Sequence, residues 1–168
     1  RLVRHPVRKD QTDGELAADE ALRAGAGDLV LAGGLGDLDH VLGHLALLGR
    51  IEAGGVPSRL VSPALTVRVL VAPERACLDA ETGTRVSLSP LAGDAVVTLA
   101  GLDYPLERGR LPADACLGLG NAVSVTAGPG ARERATIEVH DGRVAVLVGD
   151  GLESFGGLRL PRDPGTGA

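Results

Sequence analysis

Lys9 is the only lysine among the 17 Lys and Arg residues of this chain, and it sits in Lys9-Asp10-Gln11-Thr12-Asp13-Gly14-Glu15. A compact ammonium is a point charge that suits a phosphate oxygen, whereas arginine's planar fork imposes a two-pronged geometry. The flanking carboxylates Asp10 and Asp13 are hard oxygen donors of the kind Mg²⁺ takes. The same residues have a second reading. Thr12 followed three positions later by Glu15 is a capping box, and acidic residues favour a helix N-terminus in any case.

A second candidate lies at Gly33-Gly34-Leu35-Gly36-Asp37-Leu38-Asp39-His40. A glycine turn between a strand and a helix exposes backbone N–H groups, and the helix N-terminus adds positive potential, so an anion or phosphate fits there. Asp37 and Asp39 could hold its metal counter-ion. The alternative is that Asp37 caps the helix and the glycines allow tight packing. His40 and His44 stand four apart, the spacing of paired zinc ligands, but Val41 occupies the place of a metalloprotease glutamate and no third ligand follows at a recognisable spacing. They read as ordinary histidines. Neither cysteine has a nucleophile motif and no serine sits in a Gly-x-Ser-x-Gly elbow.

The elements that must hold these residues follow from periodicity. Thr12 caps a helix expected from Asp13 to about Ala24, with Gly25 as its stop. Residues 28–33 read as a buried parallel strand, and a second helix is expected from about Leu38 to Ile51. Residues 59–61 and 67–71 read as strands, so the first seventy residues carry an α/β pattern. From about Pro73 the helical period disappears. Short β-runs at 84–88, 95–99, 122–125, 136–139 and 144–148, separated by Gly-rich turns, imply an antiparallel sandwich or barrel, with Asp141-Gly142 as a hairpin signal. The expected division is an α/β domain over 1–72, a β-sandwich domain over 73–155 and a disordered tail over 156–168.

Composition bounds the partners. With 168 residues, 44% apolar, a core can be buried, and the formal net charge of −5 with scattered basic residues argues against nucleic acid or an anionic membrane. Cys77 and Cys116 form neither a disulfide framework nor a C-x-x-C pair, so both read as buried apolar residues in a reducing cytosol. No apolar stretch reaches the roughly 20 residues of a membrane helix, and the first residues do not form a signal peptide. A soluble cytoplasmic protein is expected.

In order along the chain, the segments resemble the thiamine pyrophosphokinase (thiamine diphosphokinase) family. Residues Lys9 to Ala17 resemble its Lys-Asp-x-Thr-Asp-x-Glu-Leu-Ala segment. Leu38-Asp39-His40-Val41-Leu42 is similar to its Arg-Leu-Asp-His-x-Leu, Gly101 to Leu106 to its Gly-x-x-Tyr-Pro-Leu, and Gly118-Leu119-Gly120-Asn121 to its Gly-x-Ser-Asn loop. The resemblance implies the C-terminal part of a three-layer α/β/α domain followed by an antiparallel β-sandwich, and transfer of a diphosphoryl group from ATP to thiamine, giving thiamine diphosphate and AMP. It implies Asp39 and Asp13 as catalytic residues, Asp13 and Asp10 toward Mg²⁺, Lys9, Asp10 and Thr12 toward the triphosphate, and Gly120 and Asn121 toward thiamine. It also implies a homodimer with sites between the α/β domain of one subunit and the sandwich of the other.

Against the family pattern, Asp37 stands in place of an arginine, His44 of an asparagine and Gly120 of a serine, and Tyr104 and Phe155 are the only aromatic residues. The family's Gly-Asp-x-Asp-Ser segment would fall upstream of Arg1, so an N-terminal portion is expected to precede this sequence. The alternative function is a catalytically impaired module of the same family that binds nucleotide or only dimerises. An upstream Gly-Asp-x-Asp-Ser would separate the two.

Overall fold

A computed structural model describes residues 10–126, 128 and 130–149; Lys9 and the expected tail at 156–168 lie outside the described residues. Helix α1, Asp13–Arg23, begins with the expected capping box: Glu15 N donates to Thr12 Oγ1 at 3.2 Å, and Thr12 N donates back to Glu15 Oε2 at 3.0 Å. Strand β1, Leu29–Ala32, and the glycine loop lead into helix α2, Leu38–Ala53, and then strands β2, Ser58–Val61, and β3, Thr66–Val71. Seven further strands follow: β4 Glu74–Glu81, β5 Arg85–Pro90, β6 Ala95–Ala100, β7 Leu106–Leu111, β8 Asn121–Ala122, β9 Arg132–Asp141 and β10 Arg143–Gly149.

The strands form two sheets, one in the order β1-β2-β3-β10-β5-β8 and one in the order β4-β9-β6-β7. Only β1 and β2 run parallel to each other, and the remaining neighbours pair antiparallel. Strand β10 shows why the sheets stack as they do. Val144, Val146 and Val148 join Leu70, Val86, Leu88 and Ile137 in the core between the sheets, while Ala145 and Leu147 face the other way, with Val67, Val69 and Leu48 of α2. Side chains alternate along a strand, so a run that is apolar at every position belongs to a strand covered on both faces. Each fully buried Leu or Val contributes about 1.5–3 kcal/mol.

Helix α2 has two apolar stripes. Leu48 lies on the large sheet, and Leu47 and Ile51 pack against Ala18 and Leu22 of α1. Both helices meet the Leu29 and Leu31 side of β1, and Val30 on the opposite side is 44% exposed. Strand β1 is therefore parallel as expected but not buried, because it is the sheet edge and one of its faces has no cover among the described residues.

Three other expectations are corrected. Asp141-Gly142 does form a tight turn, with Gly142 at φ +78°, but β9 and β10 belong to different sheets, so the turn is a corner between layers and no hairpin. A Cβ at Gly142 would meet Asp94 O at 2.5 Å, which is why glycine stands there. The expected strand at 122–125 shrinks to Asn121–Ala122 plus a single bridge from Val123 to Leu102. Cys77 is only half-buried and Cys116 is exposed, so neither is a core residue.

A buried charge cluster ties the helix to both sheets. Arg68 Nη2 in β3 donates to Glu52 Oε1 at 3.1 Å and to Glu74 Oε1 at 3.0 Å. Glu52 Oε1 also accepts from Ser58 N at 2.7 Å, and Glu74 Oε2 accepts from Val71 N at 3.1 Å. Arg68 and Glu52 are buried polar residues, and the hydrogen bonds are what make that burial tolerable.

Candidate active site

The first turns of α1 and the front face of α2 enclose an open cleft of about 470 Å³. Asp13 and Glu15 come from α1 and Thr12 from its N-cap; Asp39, Gly43, His44 and Arg50 come from α2. Two segments that the sequence separates by more than twenty residues thus share one space, and Asp13 and Asp39, both expected at the site, line it together. Asp39, Gly43, Ala46 and Arg50 recur at i, i+4, i+7 and i+11, the spacing of one helix face. That spacing would have found Arg50, which the sequence reading did not single out. Among the described residues it is the one lysine or arginine lining the cleft. Asp10 is exposed and does not line it.

Asp39 is an exposed carboxylate whose Oδ1 accepts from His40 N at 2.9 Å and lies 3.1 Å from His40 Nδ1. The hydrogen bond with the His40 ring, and then that from its backbone N–H, hold the Asp39 carboxyl below the usual aspartate range. Asp37 occupies the N-cap position of α2 in extended conformation, but its side chain makes no cap hydrogen bond. The glycine loop turns through Gly33 and Gly34, at φ +85° and +75°. Glu15 lines the cleft but is committed to the capping box.

The far wall depends on how α1 is docked. Arg50 Nη2 donates to Asp19 Oδ1 at 2.9 Å, and Gln11 Nε2 donates to Asp19 Oδ2 at 3.0 Å. The Arg50 hydrogen bond is the main cause holding the Asp19 carboxyl below its ordinary range. A carboxylate with a depressed folded pKa stabilises the fold above its unfolded value, about 3.9, and loses that contribution as pH falls through the lower folded value. The protection of the α1 amides, taken relative to their intrinsic exchange rates at each pH, is therefore expected to fall below about pH 4. Asp19→Asn should remove that acid dependence and cost about 0.2–1 kcal/mol at neutral pH, the range of partly exposed pairs. An unchanged acid profile in the variant would mean the pair does not dock α1.

Asn121 and Gly120 lie at the opposite end of the large sheet, beside β8. The Asn121 carboxamide is buried and committed: Oδ1 accepts from Tyr104 N at 3.0 Å and Ala122 N at 2.9 Å, and Nδ2 donates to Tyr104 O at 2.9 Å. Gly120 is exposed at φ +73°, and its N–H donates to Ser87 Oγ at 3.1 Å. From the β1 edge to the β8 edge is five strand steps, about 24 Å at ~4.8 Å per step. The structure does not bring these two residues to the cleft of the same chain.

No group of three or more His, Cys, Asp and Glu close enough to hold a metal ion occurs among the described residues, and the ring centroids of His40 and His44 stand 6.5 Å apart. No helix among the described residues is long and apolar enough to cross a membrane.

No protein-family model matches the chain, and no curated protein matches it. Solved structures do. Thiamine pyrophosphokinase from Bacillus subtilis superimposes with a TM-score of 0.74 at 25% identity, over 86% of this chain and 66% of that one. Thiamin pyrophosphokinase from Geobacillus thermodenitrificans gives 0.68 at 23% identity, over 88% and 65%. A thiamin pyrophosphokinase family protein from Enterococcus faecalis gives 0.68 at 24%, over 89% and 68%. The chain thus spans about two thirds of the length of these proteins.

Proposed function

We infer that this chain, which belongs to the thiamine pyrophosphokinase family, contributes to ATP-dependent diphosphoryl transfer to thiamine, yielding thiamine diphosphate and AMP. The observation that carries this reading is the convergence of Asp13 and Asp39, from two separate motifs, in one cleft flanked by two helix N-termini. In the reaction the thiamine hydroxyl oxygen forms a bond to the β-phosphorus of ATP, the bond from that phosphorus to the α–β bridging oxygen breaks, AMP departs and the hydroxyl proton is released. Such transfers need positioning and charge neutralisation more than covalent help from protein.

Each residue then has a part. Asp13 and Asp39 supply hard oxygen donors, and two carboxylates completed by substrate phosphates form a usual set for Mg²⁺. Asp10 is proposed as a more distant carboxylate for the same ion. Bound there, Mg²⁺ would neutralise charge developing on the phosphates. Thr12 holds the α1 N-terminus in place through the capping box, the glycine loop offers backbone N–H groups to phosphate, and Lys9 adds a point charge. Arg50 holds the α1 wall. The test is AMP release from ATP and thiamine by the complete protein; no thiamine-dependent AMP would overturn the reading.

The thiamine end of the site is assigned to the Gly120 and Asn121 loop of a second copy. The 24 Å between sheet edges supports this, since one chain cannot offer both ends to one ligand. So do Tyr104, Leu117, Leu119 and Val125, all exposed apolar residues near that loop. Asn121 would act by shaping the loop through Tyr104. Light scattering after gel filtration is expected to give twice the chain's mass, and a monomer at micromolar concentration would overturn the shared site. The uncovered Val30 face of β1 supports a further helical layer packed on that face, which would complete a three-layer domain. A cytoplasmic location and partners limited to thiamine, ATP and the second copy fit the composition, whose charge of −5 does not favour nucleic acid.

A further inference from the structure

His44 is the side chain on which three stretches of backbone meet. It belongs to α2, its Nδ1 lies 3.2 Å from Gly34 O in the glycine loop, and its Nε2 faces Gly14 in the first turn of α1, where an added Cβ would stand 3.8 Å away. A carbonyl oxygen only accepts, so Nδ1 carries the proton and donates to it. The approach at Gly34 is close. A Cβ there would come within 2.4 Å of His44 Cε1 and 2.8 Å of Nδ1, so it would push the ring away, and the residue sits at φ +75°, a backbone conformation that favours glycine. Asp37, the N-cap residue between the loop and the helix, makes no cap bond that would hold the loop instead.

We propose that His44 is a positioning residue: its Nδ1–H pins the glycine loop to α2 and so fixes the backbone N–H groups that would receive a nucleotide phosphate. The phosphate part rests on the nucleotide reading of the cleft; the pin does not. The ring fills the gap between loop, α2 and α1, so the loop's shape depends on it. A loop with two consecutive positive-φ glycines has wide conformational freedom, and the His44 bond restrains it together with the bond from Gly33 N to Val61 O.

Three substitutions separate the possibilities. Asn places an amide N–H where Nδ1–H stands, Gln places its amide where Nε2 stands, and Ala removes both. Gly33 N donates to Val61 O at 2.9 Å, which makes its amide a reporter of loop order in the chain as it is, without any catalytic assay. Hydrogen exchange at Gly33 is expected to quicken roughly five- to tenfold in His44→Ala and His44→Gln, the effect of one lost hydrogen bond, and to stay near wild type in His44→Asn. In the complete protein, Ala and Gln should raise KM for ATP several-fold with kcat within about twofold, and Asn should restore KM. Unchanged Gly33 exchange in His44→Ala overturns the pin, whatever the protein catalyses. Faster exchange with an unchanged KM overturns the positioning role, and an equal fall in kcat and kcat/KM would do the same.

Discussion

Arg68→Ala is expected to lower the unfolding free energy by about 3 kcal/mol or more, because it leaves the buried Glu52 and the half-buried Glu74 carboxylates without the guanidinium that both share. Against a total stability of about 5–15 kcal/mol, that is a large fraction. For a fold of this size the melting temperature should drop by roughly 10 °C or more. The loss should come from the missing shared cation rather than from lost volume. Arg68→Met combined with Glu52→Gln and Glu74→Gln should therefore recover a substantial part of it, since uncharged replacements of a buried cluster often cost little. Thermal denaturation of the single and triple variants decides between the two. A loss below about 1 kcal/mol in Arg68→Ala would mean the carboxylates relax to water and the cluster is not structural.

Asp39→Asn in the complete protein should lower AMP release by about 10²-fold or more while leaving the melting temperature within a degree or two. The amide keeps the shape and keeps an oxygen to accept from His40 N, so the local turn survives; only the charge goes. Because the side chain is exposed, its removal has little to do with folding. Asp13→Asn should also slow the reaction and additionally raise the Mg²⁺ concentration needed for half-maximal rate. If Asp39→Asn retained a third of the wild-type rate, the cleft would not be where phosphates react.

Where the physics is local, the sequence was readable. Thr12 and Glu15 lie within one helical turn, and the capping box they announce is present. Gly33, Gly34 and Gly36 mark the turn between β1 and α2, and Asp13 and Asp39 could be singled out because each sits at a helix start. Strands β4 and β7 escaped notice for identifiable reasons. In β4 the inward positions are Ala76, Leu78 and Ala80, small residues with Cys77 and Asp79 between them, so the alternation is faint. In β7 only Leu111 is buried and Gly109 interrupts the run, as befits the edge of the four-stranded sheet.

The Asp141-Gly142 turn shows the limit most clearly. Turn chemistry resides in two residues, but which sheet each flanking strand joins is decided by partners far away in the chain: Val71 opposite Arg143, Glu74 opposite Val139. The distance between Asn121 and the cleft was invisible for the same reason. Motif order says nothing about strand order.

Strand order also bears on how such a protein can be inherited. Strand β3 comes from the α/β part of the chain, yet its neighbour β10 comes from the end of the sandwich, and Leu70 of β3 fills the sandwich core while Val67 and Val69 fill the helix core. The sandwich is thus no interchangeable cassette: a recombination event joining the first seventy residues to a foreign partner would have to bring a strand in the register of β10 and an apolar face to meet Leu70. A single crossover at this point of the chain would leave β3 without its β10 neighbour and Leu70 without its core, so such a chimaera is expected to fold poorly.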